Sequence, residues 1–191
     1  LNDHEHVSEK TKNKVAAAMK ELGYRPNTIA RSLASSRSNS VGVLVSELHG
    51  PFFGSMLSAI ELELRNAGKH AIITAGHSDK ESEIKGLEFL IDRNCDALIL
   101  LVDAISDDYL IKLSKGKTPF VILNRNISEI RDNCFYLDNE LGGYLAAKHL
   151  IEQGHKEIAY ISGPLSKQDS TERLIGHKKA LVEANICFKE N

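Results

Sequence analysis

A stretch of the chain that contains no acidic residue is the first candidate for chemistry. No Asp or Glu lies between Glu21 and Glu47, although the chain has 26 acidic residues among its 191. Within this interval the segment Tyr24–Ser38, YRPNTIARSLASSRS, carries three arginines. A basic segment kept free of acid usually faces a negatively charged partner, so the composition favours a polyanion such as nucleic acid.

Part of this stretch has a helical pattern. Asn27 can cap a short helix that runs to about Ala34, and isolated helices shorter than about 12 residues are marginal in water. Ile29 and Leu33 lie one turn apart, Ala30 permits close approach of the backbone, and Arg31 can contact phosphate. A short helix with an apolar wedge and flanking arginines suits the DNA minor groove. The alternative is a solvated basic linker with a frayed turn.

The distribution of charge separates this region from the rest of the chain. The first 37 residues hold seven basic and four acidic side chains, whereas the remainder holds 17 basic and 22 acidic. The formal net charge of −2 therefore conceals a basic start and an acidic remainder. This asymmetry predicts two functional units, one for a polyanion and one for a different partner.

The cysteine pattern and the hydropathy predict where the protein works. Cys95, Cys134 and Cys187 are odd in number, far apart and without CxxC spacing, so they indicate neither a disulfide framework nor a zinc site. No apolar run approaches the roughly 18 residues of a membrane span, and the start does not resemble a signal peptide. We therefore expect a cytoplasmic protein without a membrane partner.

Signatures of enzymes are absent from the sequence. It contains no GxGxxG, GxxxxGK[ST], GxSxG or HExxH motif. His4 and His6 could be taken for a metal pair, but no third ligand is near them. Asp103, Asp107 and Asp108 cluster after a predicted strand, where capping and solvation explain them. We expect no catalytic residues, no cofactor and no metal.

Two kinds of pattern predict the elements. Ser8 is a good N-cap for an amphipathic helix from Ser8 to Leu22, which Gly23 ends. From Val41 onwards, apolar runs alternate with helical patterns: VGVLVS, KHAIITA, DALILLV, PFVILN, NCFYLD and KEIAYISG are the predicted strands. Strands of this kind separated by helices indicate a parallel sheet covered on both faces. The fold class is therefore α/β with a doubly wound parallel sheet.

A family resemblance runs through these motifs. The segment VSEKTKNKVAAAMKELGYRPNTIARSLASSRSNSVGVLV resembles the junction between DNA-binding head and core in LacI/GalR-family bacterial transcription repressors. The likeness continues through PFFG, YLDNELGGYLAAKHLIEQGHKEIAYISGP and ERLIGHKKAL, with galactose-operon repressors as the nearest likeness. The resemblance implies a periplasmic-binding-protein-like core, a homodimer, operator DNA as partner and a small sugar as effector.

The resemblance also implies a division into domains. Residues 1–26 would be the C-terminal part of a helix-turn-helix head and residues 27–40 the hinge helix and linker. Residues 41–155 would be the first core subdomain and residues 156–191 the start of the second. On this interpretation the chain is a fragment that lacks the start of the head and most of the second subdomain. The alternative is a free-standing sugar-binding module without a DNA function.

Residues for both partners follow by matching family motifs. The expected DNA-binding residues are Lys14, Arg25, Asn27, Ala30, Arg31 and Leu33. Phe52 and Phe53 match an aromatic pair that packs on the effector, although a hydrophobic staple or a core pair is the alternative.

The polar effector contacts also come from the family match. Asn124 and Arg125 match a pair that binds sugar hydroxyls, and we expect the sugar to complete the hydrogen bonds of a buried Arg125. Arg173 matches a further sugar contact. Asp169 and Lys167 are weaker candidates whose alternative is solvated loop charge. Asp138 lies near the cleft or caps the following helix.

Overall fold

The computed structural model describes residues 8–24 and 37–189. The chain divides into two compact units, Leu1–Asn39 and Ser40–Asn191. In the first unit, helix α1 spans Glu9–Glu21, and the Ser8 hydroxyl oxygen accepts a hydrogen bond from the Thr11 N–H at 3.3 Å. Gly23 follows with a φ of 61°, a left-handed conformation that ends the helix. The predicted cap, helix and stop are confirmed.

The predicted hinge helix, 27–34, lies outside the described residues. The same holds for five of the six expected DNA-binding residues: Arg25, Asn27, Ala30, Arg31 and Leu33. Lys14 is described, and it lies exposed on α1. The assignment of these residues to DNA contacts therefore stays a prediction.

The second unit is built on one parallel sheet of five strands. The strands are β1 (Ser40–Val45), β2 (His70–Ala75), β3 (Ala97–Leu100), β4 (Phe120–Leu123) and β5 (Cys134–Phe135). Their order in the sheet is β2-β1-β3-β4-β5, and each neighbouring pair is parallel. The predicted α/β class with a parallel sheet is confirmed.

Helices cover both faces of this sheet. They are α2 (Pro51–Asn66), α3 (Lys80–Asp92) and α4 (Asp107–Ser114), and a 3-10 segment, Ser128–Asn133, precedes β5. One core cluster joins α3 and α4 to the sheet through residues such as Leu87, Leu110 and Ile122. A second cluster, around Val43 and Val45, packs against α2 on the opposite face. The sheet is therefore doubly wound, as the sequence predicted.

Two further helices pack directly on each other. They are α5 (Asn139–Glu152) and α6 (Gln168–Glu183). A Cβ atom at Gly143 would overlap the backbone of Arg173, and one at Gly176 would overlap the carbonyl oxygen of Glu140. The two backbones therefore touch where the helices cross, and only glycine fits at these positions. The boundary between core subdomains predicted at residue 155 stays a prediction.

One predicted strand does not form. Residues 156–163, KEIAYISG, have no regular structure, and Ile161 is 97% exposed. A strand needs a neighbour to pair its backbone groups, and no described strand lies beside this segment. The apolar pattern alone therefore misassigned it. Among residues 8–24 and 37–189, no helix has the length and apolar character needed to cross a membrane.

Candidate ligand-binding site

The strand order creates a crevice at one edge of the sheet. The chain runs from β1 outwards to β2 on one side, and then returns to place β3 on the other side of β1. In open α/β sheets, ligands bind outside the carboxyl ends of the strands at such a switch point. Ser46 directly follows β1 and Asp103 follows β3, and the Ser46 hydroxyl donates to Asp103 Oδ2 at 3.0 Å. We call this the carboxyl edge.

Asp103 is the centre of a polar cluster at the carboxyl edge. Its Oδ2 atom accepts hydrogen bonds from Ser46, from the Ser78 hydroxyl at 2.9 Å and from Lys167 Nζ at 2.9 Å. Burial alone would raise the pKa of Asp103, but the hydrogen bonds from Lys167, Ser78 and Ser46 outweigh it and hold the pKa below its ordinary value. Capping and solvation, the explanation drawn from the sequence, do not describe this carboxylate.

Lys167 connects the start of α6 to this cluster. It occupies the N-cap position of α6, and its ammonium group lies against Asp103 and 3.4 Å from the Ser78 hydroxyl oxygen. The hydrogen bond to Asp103 is the main reason that the pKa of Lys167 is raised. The reading of Lys167 as a solvated loop charge is therefore wrong, because its ammonium group is bound.

Arg125 lies two residues beyond β4 and is bound to the protein itself. Its side chain is 19% exposed, Nη1 donates to the carbonyl oxygen of Ile105 at 2.8 Å, and Nη2 lies 2.6 Å from Asp107 Oδ1. The sequence led us to expect a guanidinium whose hydrogen bonds a sugar would complete. The structure corrects that reason, because a carbonyl and a carboxylate from the preceding loop and helix already bind it.

Asn124 turns the chain at the end of β4. Its φ is 60°, a left-handed conformation that asparagine tolerates better than most residues. Its backbone N–H donates to the carbonyl oxygen of Phe135 at 2.7 Å and so extends the pairing of β4 with β5. The turn places Asn124 at the carboxyl edge next to Arg125, which is the position that a hydroxyl-binding amide requires.

The two phenylalanines at the start of α2 have different surroundings. Their ring centroids are 5.3 Å apart with planes at 80°, an edge-to-face contact. Phe53 packs against the core cluster around Val43 and Val45, whereas Phe52 is 57% exposed. Phe53 is therefore partly a core residue, and Phe52 offers the more accessible aromatic surface. Their contact with an effector stays a prediction.

Arg173 and Asp169 form a pair on the first turns of α6. Arg173 Nη2 lies 3.2 Å from Asp169 Oδ2, and Arg173 Nε donates to Asn139 Oδ1 at 2.9 Å. The carboxylate of Asp138 caps α5, because its Oδ1 atom accepts the N–H of Leu141 at 2.8 Å. The capping alternative for Asp138 is thus realised, and the sugar contacts expected of Arg173 and Asp169 stay predictions.

The sequence gave no sign of the role of Glu83, a buried carboxylate behind the carboxyl edge. Its side chain is fully buried and accepts the backbone N–H groups of Asp103, Ala104 and Ile105, each at 2.9 Å. Gly76 leaves the space for it, because a Cβ there would overlap the Glu83 side chain. An available signal was the spacing of Glu83 with Leu87 and Leu90, which places an acid on the apolar face of α3.

Two histidines lie at the same edge. His49 Nδ1 and His77 Nδ1 are 3.4 Å and 3.5 Å from Glu47 Oε2, and both rings are largely exposed. In the described part of the chain, no group of three or more His, Cys, Asp or Glu residues has an arrangement that could hold a metal ion. The pair His4 and His6 lies outside the described residues.

Family models match nearly the whole chain. The model described as periplasmic binding proteins and sugar binding domain of the LacI family matches residues 38–190. The model described as bacterial regulatory proteins, lacI family, matches residues 1–27. The chain belongs to the LacI family. The match begins and ends close to the boundary between the two compact units.

Relatives within the LacI family are regulators of transcription. The HTH-type transcriptional regulator GalR of Escherichia coli K12 is 35% identical over 190 residues, which are 100% of this chain and 55% of GalR. The HTH-type transcriptional repressor PurR of Aliivibrio fischeri is 32% identical over 189 residues, 98% of this chain and 56% of PurR. The chain thus spans a little over half the length of these relatives.

A solved LacI-family structure has a similar fold. The lac repressor dimer, bound to operator and the anti-inducer ONPF, superposes with a TM-score of 0.81 at 30% identity. The superposition covers 95% of this chain and 56% of that one. The fold and the family predicted from the motifs are confirmed.

Proposed function

We propose that this LacI-family protein is a sequence-specific DNA-binding repressor of sugar metabolism, controlled by a small sugar such as galactose. The observation that carries the proposal is that one chain matches the regulatory family model over residues 1–27 and the sugar-binding-domain model over residues 38–190. The partners are operator DNA, the sugar effector and a second copy of the protein. The relatives are regulators and not enzymes, which supports a role without catalysis.

The carboxyl edge has the chemistry that a sugar requires. Asp103 and Asp107 accept hydrogen bonds, and Arg125 supplies a planar fork with five N–H donors, two of which the protein uses. Phe52 offers an exposed ring for the apolar C–H face of a sugar. Donors, acceptors and an aromatic surface at a topological switch point form the usual equipment of a small-molecule site.

The DNA contacts belong to the first unit and the segment after it. Lys14 and Arg31 would bind phosphates, and Leu33 would insert between base steps in the minor groove. A hinge helix too short to be stable alone would order only when DNA and the partner copy support it. Sugar binding would shift this equilibrium, which couples the two sites energetically.

Two variants separate the two activities. A duplex that binds the purified protein is first selected from a randomised DNA library, and its affinity is measured by fluorescence anisotropy with and without D-galactose. Leu33→Ala should weaken binding to this duplex by about 1–3 kcal/mol while circular dichroism shows an intact core. Arg125→Ala should keep the affinity for DNA without sugar and lose the response to sugar.

Each result has a clear reading. Failure of the protein to select any duplex, together with retained binding of D-galactose by calorimetry, would support the free-standing sugar-binding module instead. Unchanged affinity of Leu33→Ala for the selected duplex would remove the wedge assignment. A full sugar response in Arg125→Ala would place the effector elsewhere than the carboxyl edge.

A further inference from the structure

The cations at the carboxyl edge have fixed places. Arg125 and Lys167 both bind the short stretch from Asp103 to Asp107, one through Ile105 and Asp107 and the other through Asp103. Arg173 lies on α6, whose first turn begins at Lys167. These three are the positive side chains that an anionic ligand at this edge would meet.

Each of the three cations already has a carboxylate from the chain. Arg125 pairs with Asp107 at 2.6 Å, Lys167 with Asp103 at 2.9 Å and Arg173 with Asp169 at 3.2 Å. The list of partners differs in sequence distance, since they lie 18, 64 and 4 residues away, so the pairing is not a by-product of one helix.

A fourth acid adds negative charge beside these pairs. Glu47 lies close enough to Lys167 to contribute to the raised pKa of that lysine, and its Oε2 atom faces the rings of His49 and His77. Three cations and four carboxylates therefore occupy the edge. An incoming phosphate would have to displace a bound carboxylate or lie beside one, and juxtaposed like charges are strongly unfavourable.

A neutral hydroxyl meets a different situation. It can donate to a carboxylate oxygen and accept from a guanidinium or ammonium group without breaking the ion pair, because each of these groups has further donors or lone pairs. Two paired ions side by side thus serve one hydroxyl group as acceptor and donor. The same pairs that oppose an anion are suited to a polyol.

We infer that the carboxyl edge selects uncharged polyhydroxylated ligands and discriminates against phosphorylated ones. This inference rests on the proposed sugar effector and narrows its chemical class. The ion pairs Arg125–Asp107, Lys167–Asp103 and Arg173–Asp169 are the specificity-determining elements, because they neutralise the cations before a ligand arrives.

Matched pairs of sugars test this selectivity. The purified protein is titrated calorimetrically with D-galactose and D-galactose 6-phosphate, D-glucose and D-glucose 6-phosphate, and D-ribose and D-ribose 5-phosphate. In every pair that binds, the uncharged sugar should bind at least about tenfold more tightly, because like charges across an interface are penalised. Equal or tighter binding of the phosphorylated member would overturn the inference and leave a sugar effector in place. Binding of none of the six would contradict the sugar effector itself, and the inference with it.

A matched pair of variants tests the cause. Asp107→Asn frees Arg125, and Asp108→Asn removes the neighbouring acid on the same turn of α4, which is exposed. Asp107→Asn should tighten binding of the phosphorylated sugar about twofold to fivefold, the range for an exposed ion pair, and Asp108→Asn should not. Equal gains in both variants would show that net charge and not pairing sets the selectivity, and would overturn the inference. Asp103→Asn, which frees Lys167, provides the same test if Asp107→Asn does not fold.

Discussion

Replacement of Glu83 by glutamine should be costly out of proportion to the one atom that changes. In the structure, Oε1 accepts the N–H of Asp103, and Oε2 accepts the N–H groups of Ala104 and Ile105. An amide has one acceptor oxygen, so a glutamine in the same place keeps at most the two bonds made by Oε2. Its NH2 group would then face the N–H of Asp103, donor against donor.

The magnitude follows from these three bonds. Loss of a hydrogen bond to a charged acceptor costs about 1.5–3 kcal/mol, and a bond to a neutral acceptor is weaker than one to a charged acceptor by about 1 kcal/mol. Water can reach the N–H of Asp103, which lies in a partly buried contact, and this reduces the penalty. We therefore expect Glu83→Gln to lower the free energy of unfolding by about 2–4 kcal/mol.

Urea unfolding followed by circular dichroism measures this loss as a shift of the midpoint at constant slope. The matched control is Glu88→Gln on the exposed face of the same helix, which should change the free energy by less than about 0.5 kcal/mol. Hydrogen exchange should also accelerate at the amides of Asp103, Ala104 and Ile105. A Glu83→Gln variant as stable as the Glu88→Gln control would refute the reasoning.

Two further substitutions probe other parts of the second unit. Gly176→Ala should destabilise the protein by about 1–3 kcal/mol or more, because its Cβ would overlap the Glu140 carbonyl oxygen, whereas Gly142→Ala faces open space and should stabilise α5 by about 0.5–1 kcal/mol; thermal unfolding compares them, and equal effects would contradict the backbone contact. Burial lowers the pKa of His177, so the unfolded chain binds more protons, and stability should fall as pH drops below about 6.5, the ordinary value. His177→Phe should flatten this slope in unfolding measured between pH 5 and 7, with exposed His155→Phe as control; an unchanged slope would contradict the assignment.

Local patterns predicted the fold well because each acts over a few residues. Ser8 and Gly23 bracket α1 as expected, and the strands from β1 to β4 follow continuous apolar runs. The segment 156–163 has the same kind of run and forms no strand, since pairing depends on a neighbour that the run itself does not specify.

The polar contacts of the site were beyond such reasoning because they join distant parts of the chain. Arg125 was expected at the carboxyl edge, but its partners lie 20 and 18 residues earlier. Lys167 and Asp103 are 64 residues apart, and only the folded sheet brings them together. Residue type and strand order therefore predicted where polar groups gather, and tertiary packing decided which of them bind each other.

The close contact between Gly76 and Glu83 restricts how this part of the sequence can change over generations. Addition of a side chain at residue 76 first would force the carboxylate out of its place, and loss of the carboxylate first would leave three backbone N–H groups without their acceptor. Neither single step is neutral. A lineage can reach a different pair of residues here only by changing both within a short interval or by acquiring a compensating acceptor beforehand.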